Sequence, residues 1–343
     1  MATDCTRADI EHRLVRYSDL KPCRNAFVDS RSPGSEAKEN FTIVGPGVSE
    51  NPDQHVHIAI PHGFNIGGAR QPPGCLNSQH SHDTAEVFIV HSGRWAFRSG
   101  ERAQDGEVIL TAGDTISLPI HMFRGFENIG DDVGFLFAVL GGDDPGRVTW
   151  APQVFDLARH HGLVLMQNGR LVDTVLGQTA PAGVAPMQPT SWDEVARMRR
   201  VSAEDLEACV QREADLPQLS TSALGASASS GQVHESPIIG EAGPEEGLPA
   251  GRMNWPHGFH LRRLALGPAA AVPFHIRIEE EVLLMHRGTM RLRWGAESLD
   301  LHAGDALTVP KDLPRHYSNP ATEPALVYVV RGGNHPEPPR FSQ

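Results

Sequence analysis

Residues 74–93 read GCLNSQHSHDTAEVFIVHSG. His80 and His82 are separated by one residue, so on an extended strand both imidazoles project to one face. Glu86 keeps that parity, and all three side chains converge if the run to Val90 stays extended. Two imidazoles and a carboxylate on one point suit a non-haem Fe(II), with Mn(II) or another divalent ion as the alternative. Without a metal, burying the three together would leave desolvated polar groups at a high cost. A second stretch, GDTISLPIHMFRGFEN at residues 113–128, adds His121, Arg124 and the aromatic residue Phe126.

Around these stretches, short apolar runs alternate with turns: His55 to Ile60, Glu86 to Val90, Arg94 to Arg98, Glu107 to Leu110, Thr115 to Leu118 and Gly134 to Leu140. Strands at this spacing predict a sandwich or barrel. Residues 1 to 50 are polar and read as an arm, with helical hints from Asp9 to Tyr17. Residues 151 to 165 predict a helix with Pro152 near its start. Two more helical patches run from Trp192 to Arg199 and from Ser202 to about Arg212, the second opening on a capping-box pattern with Asp205. Thr221 to Gly251, rich in Gly, Ser, Ala and Pro, reads as a linker or long surface loop.

The first part of the chain then returns. Pro61-His62-Gly63-Phe64 recurs as Pro256-His257-Gly258-Phe259, and the same offset of 195 carries His80 to His275, Glu86 to Glu281 and Gly93 to Gly288. An offset of 191 carries Gly113 to Gly304, Pro119 to Pro310, Arg124 to Arg315 and Asn128 to Asn319. This internal repeat sets the domains: an arm at 1–50, a barrel at 51–150, a helical connector and linker at 151–250, and a second barrel at 251–343. The copies differ where it matters. His82 corresponds to Arg277, and arginine stays protonated and does not ligate metals. The second copy therefore reads as a structural barrel in which a charge pair replaces a metal; a rearranged set of His275, Glu280 and His316 is the alternative.

The totals agree. With 34 glycines, 27 prolines and 21% charged residues, the 343-residue chain suits turn-rich β structure and has the length for two cores. A formal charge of −12 argues against nucleic acid and anionic membranes as partners. Four scattered cysteines, no signal-peptide pattern and no membrane-length apolar run predict a reduced, cytoplasmic protein.

The first stretch resembles the cupin pattern G-x5-H-x-H-x3-E-x6-G at every defined position, and the second matches G-x5-P and the final N. The resemblance implies a mainly all-β fold of two jelly-roll cupin barrels joined by a helical segment, a bicupin. It implies metal ligands at His80, His82 and Glu86. Cupins usually place a fourth ligand where this chain has Arg124, and His121 is either a substitute from the turn or an ordinary loop histidine. The two-barrel layout is similar to the gentisate and salicylate 1,2-dioxygenases. That similarity implies an Fe(II) enzyme that cleaves a hydroxylated aromatic carboxylate with O2, with Glu86 or His121 completing the ligand set. Arg124 would then clamp the substrate carboxylate through its fork of donors, with His121 a second catalytic candidate and Trp95 and Phe126 walling the pocket. The other cupin reactions open to it are diketone- or flavonol-type oxygenation, isomerisation and decarboxylation, with non-catalytic binding a further class. A homo-oligomer is the expected assembly.

Overall fold

The computed structural model describes residues 5–228 and 231–341. The first four residues of the expected arm and residues 229–230 of the expected linker lie outside the described residues. The chain forms two compact units, each a jelly roll. One comprises Lys21–Ala59 and Asn65–Val210; the other comprises the residues up to Leu20, Ile60–Phe64 and the chain from Gln211 onward.

In the first unit a five-stranded sheet runs in the order Val148–Trp150, Leu76–His82, Arg124–Asn128, Arg94–Ser99, Gly106–Thr111. In the facing seven-stranded sheet, Thr115–Leu118, Glu86–Ser92, Gly134–Gly141, Phe64–Gln71, Glu39–Val44 and Val56–Ile58 are successive neighbours. Alternate residues of both sheets point inward and form a core that includes Phe88, Trp95, Phe97, Leu110, Ile116 and Phe126. Phe126 packs on Phe88 with ring centroids 5.0 Å apart. The helix Pro152–His160 buries Val154, Phe155 and Ala158.

The second unit repeats this order. Leu14–Val15, Ala306–Val309, Glu281–Arg287, Ala325–Gly332, Phe259–Leu266 and Val233–Ile239 form one sheet; Glu297–His302, Thr289–Trp294, Arg315–Ser318, Ala271–Ile276 and Arg340–Phe341 form the other.

The repeat is as the sequence predicts, but several boundaries differ. The arm does not stand apart: Leu14–Val15 is an edge strand of the second unit, whereas Glu39–Val44 is a strand of the first. The predicted helix at 151–165 stops at His160. Gly162 at φ +81° turns the chain, and Leu163–Leu165 is a strand. The third helix keeps its capping box at Ser202 and Asp205 but ends at Ala208, before a strand at Val210–Gln211. The predicted linker contains the strand Val233–Ile239, whose buried Ile238 and Ile239 were masked by the Gly, Ser and Pro around them.

Candidate metal centre

His80 and His82 lie on the strand Leu76–His82, second from the edge of its sheet. Trp150 and Val148 pair opposite them on one side, and Arg124 pairs opposite His80 on the other. Both imidazoles are inward-facing and buried. Glu86 reaches them by a different route from the one the spacing suggests. The chain turns at Asp83–Ala85 and enters the strand Glu86–Ser92, which belongs to the facing sheet. The three side chains meet because the interval crosses between layers, and the parity of a continuous strand has no part in it.

The ligand atoms of His80, His82 and Glu86 all lie within 4.8 Å of one another. Two donors about 2.1 Å from a shared ion are at most about 4.2 Å apart, so a small contraction would bring the trio onto one cation. Hydrogen bonds orient His80 and Glu86 for that role, while His82 Nδ1 is buried without a partner among the described residues. The His80 Nδ1–H donates to the Ser78 carbonyl at 2.7 Å, which leaves Nε2 with its lone pair. His82 Nε2 stands 3.7 Å from Glu86 Oε1. Glu86 Oε2 accepts from Arg124 Nη2 at 2.9 Å, so one carboxylate oxygen is held and the other is left to ligate. Burial, assisted by the Arg124 charge, holds the His80 imidazolium down at about 3. Burial, Arg124 and His80 lower His82 well below its ordinary value. Both rings are thus neutral, the form that binds metal. Burial also pushes the Glu86 carboxyl up, against the pull of Arg124. A divalent ion would relieve that desolvation, and the donor set fits one.

The supporting residues were not foreseen. Asp29 and Lys38 form a fully buried ion pair. Lys38 Nζ also donates to Asn77 at 2.8 Å, and Asp29 accepts from the Ser78 backbone N–H at 2.9 Å. This pair fixes Ser78, whose carbonyl orients His80. Trp150 packs on the His80 ring at 5.3 Å and donates from Nε1 to buried Glu50 at 2.6 Å. Their local sequence gives little signal, because the contacts are set by sheet pairing.

Other expected site residues are placed differently. His121 is exposed and does not join the ligand group. Its φ of +55° is matched by +59° at Asp312, its counterpart in the repeat. The backbone N–H of each donates to the carbonyl of the residue at the second ligand position, His82 or Arg277. The position therefore serves a tight turn, and its side chain has no inward route. Arg124 is 1% exposed, and its fork is committed to Glu86 and the Met122 carbonyl. Arg315 in the second unit likewise bonds to Glu281 and to two backbone carbonyls. The pairing is thus common to both copies: Arg124 is held on Glu86 and is not among the residues lining the cavity, with its Nε left without a partner among the described residues. Trp95 is sealed in the core, donating to the Ser92 carbonyl. Phe126 does line the cavity beside the triad, together with Phe27, Phe41, Phe88, Leu140 and Trp150. That cavity has a volume of about 70 Å3. Among the described residues its wall holds no lysine or arginine.

A cupin-domain family model matches residues 69–140 and again 262–331. The chain carries two cupin domains. No curated protein matches this bicupin in sequence. Among solved structures it is similar to the oxalate decarboxylase of Lactobacillus farciminis in complex with formate. The identity is 11% and the TM-score 0.56, over 96% of this chain and 88% of that one. It is also similar to the Bacillus subtilis oxalate decarboxylase at pH 4.6, at 12% identity and a TM-score of 0.53, over 95% and 77% of the two chains. At such identities the likeness establishes the bicupin fold. No helix among the described residues is long and apolar enough to cross a membrane.

In the second cupin domain the metal-binding pattern is rebuilt as an ion-pair network. His275 keeps its orientation, with Nδ1 3.0 Å from the Pro273 carbonyl. Arg277 instead donates to Glu246 at 2.9 Å and stands 3.8 Å from Glu281. Glu281 is also held by Arg315 and by the Tyr317 hydroxyl. Despite the cost of burial, the arginines hold its carboxyl down at about 2. Neither Glu280 nor His316 forms a ligand group with His275 among the described residues.

Proposed function

We propose that this bicupin is a metal-dependent enzyme whose chemistry resides in the N-terminal barrel alone. The observation that carries the reading is the buried triad of His80, His82 and Glu86 beside an apolar cavity, set against its conversion to ion pairs in the second copy. Fe(II) or Mn(II) fits the donor set; when bound it would polarise a chelating substrate and, as a redox ion, supply one-electron chemistry towards O2. The chain's own residues hold the ligands in register, exclude water, and shape what can enter.

The reaction class we favour is cleavage of a carbon–carbon bond by decarboxylation. The full-length likeness to oxalate decarboxylases supports it. The cavity wall argues for a substrate other than oxalate itself. With Arg124 committed to Glu86, no side-chain cation is left to meet a second carboxylate. The substrate class is therefore a small keto or hydroxy monocarboxylic acid with an apolar body, whose oxygen pair goes to the ion. The second reading is ring cleavage of a salicylate- or gentisate-like acid with O2. The aromatic wall of Phe27, Phe41, Phe88, Phe126 and Trp150 favours it, and the loss of Arg124 as a clamp weakens it.

One panel separates the two. Iron- and manganese-loaded protein is incubated with keto, hydroxy and hydroxylated aromatic acids, with and without O2. Release of CO2 supports decarboxylation, and O2 uptake with a ring-opened chromophore supports the second reading. Metal analysis should find one ion per chain, and protein that takes up none would refute both.

A further inference from the structure

Gly67, His82 and Leu140 line the cavity of the N-terminal barrel. By the repeat offsets of 195 and 191, their counterparts in the second barrel are Arg262, Arg277 and Arg331. All three arginines are buried, and all three donate to one carboxylate. Arg262 and Arg277 reach Glu246 Oε2 at 2.7 and 2.9 Å, and Arg331 reaches Oε1 at 2.9 Å. Arg277 and Arg331 also share the Glu337 carbonyl, at 3.1 and 3.0 Å.

Arg262 and Arg331 stand on strands of the barrel, and Arg277 directly follows the strand Ala271–Ile276; Glu246 stands on none. It sits on the short turn Pro244–Glu246, in a loop closed by backbone bonds between Gly251 and Gly240 and between Leu248 and Gly243. The first copy also has a Gly-Pro pair, Gly45-Pro46, after its own strand, and Val48 just beyond it lines the cavity there. In the second barrel the loop thus carries a carboxylate, and the wall it meets carries three guanidinium groups.

Stability does not explain the exchange. The sister barrel closes with glycine, histidine and leucine at these positions, and buried ion pairs are seldom more stable than apolar packing of the same volume. Three guanidinium forks on one carboxylate form instead a strong and specific anion receptor. Arg262, Arg277, Arg315 and Arg331 face three buried carboxylates, Glu235, Glu246 and Glu281. Of these only Glu246 is on a loop. Lifting it leaves four arginines facing two buried carboxylates, with the partly exposed Glu279 3.9 Å from Arg331, so an anion is favoured in its place. Glu246 and Arg262 also line an open cavity with His260, Asn334 and His335, which gives a solute access to the cluster.

We infer that the C-terminal barrel is a carboxylate-binding site whose resident ligand is Glu246, and that a small soluble mono- or dicarboxylate takes its place on Arg262, Arg277 and Arg331. This inference does not depend on a metal in the first barrel, and its test uses metal-free full-length protein. Acetate and succinate are compared with chloride at matched ionic strength, by calorimetry and thermal unfolding, on the wild type, Glu246→Ala, Glu246→Gln and Glu246→Ala/Arg331→Met. Glu246→Ala should melt lower than the wild type and should bind acetate at least about ten-fold more tightly, because the competing side chain is gone. Acetate should raise its melting temperature where chloride does not, and adding Arg331→Met should weaken that effect. In the wild type, succinate should speed amide hydrogen exchange at residues 240–251. If Glu246→Ala does not fold, Glu246→Gln and the wild-type exchange measurement carry the test. A folded variant that prefers acetate no more than chloride, or an unchanged loop in the wild type at high succinate, would leave Glu246 a purely structural ion-pair partner and overturn the inference.

Discussion

Replacing Arg124 by methionine tests the arrangement of the metal centre directly. Arg124 and Glu86 are 2.9 Å apart, and their side chains are 1% and 6% exposed. Removing one partner of such a buried pair leaves an uncompensated charge and costs about 3–5 kcal/mol. For a unit of this size that corresponds to a fall of roughly 6–20 °C in the melting temperature of metal-free protein. The double variant Arg124→Met/Glu86→Leu should lose less than the single one, because both charges leave together. A divalent ion should recover part of the loss in Arg124→Met, since it supplies the charge that Glu86 lacks, and none in the double variant. The assay is thermal unfolding by circular dichroism, with and without Fe(II) or Mn(II). If Arg124→Met melts within a degree or two of the wild type, or if the double variant is as unstable as the single one, Arg124 is not the partner on which buried Glu86 depends.

Three further outcomes are expected. His80→Ala and His82→Ala should each abolish stoichiometric metal in elemental analysis, whereas His275→Ala should leave it unchanged. Burial pushes the Glu50 carboxyl up to about 8, despite donation from Trp150 and Val28. The folded state therefore retains a proton that the unfolded chain gives up. The Glu50 contribution to stability should be fullest below the ordinary carboxylate range and fall by up to about 1.4 kcal/mol per pH unit as pH rises to 8; denaturant titrations should find the wild type losing stability relative to Glu50→Gln over that range. Lys38→Met should cost about 3–5 kcal/mol by leaving Asp29 unpaired. It should also weaken metal affinity in a competitive chelator titration, because Ser78 loses its anchor beneath His80.

Much of this was legible before any coordinates. The repeat and the alternating strands specify two jelly rolls, and the spacing of His80, His82 and Glu86 singles out the three side chains that the fold brings together. Several features were not legible, for identifiable reasons. Glu86 arrives by crossing between sheets, and residue parity cannot distinguish a continuous strand from a crossing of the right length. His121 looked like a ligand by type, but a left-handed backbone angle, invisible in sequence, sends its side chain outward. Arg124 looked like a substrate clamp until its buried partner was known, although Arg315 in the other copy already hinted at a shared structural role. The strand Val233–Ile239 was hidden because composition averaged over a window obscures a short apolar run. Asp29, Lys38 and Glu50 lie far from the motif in sequence, and only the fold brings them beneath it.

The edge strand Leu14–Val15 has a consequence for the order in which the protein is made. It pairs with Ala306 and Leu307, so the later-translated unit is completed by residues made before the other unit. Those residues must remain available while the first unit folds, and a fragment starting at Gln211 would display the uncovered rim of Ala306–Val309 to other chains. Genetic separation of the two halves would therefore yield a second half that self-associates unless its opening segment is supplied alongside.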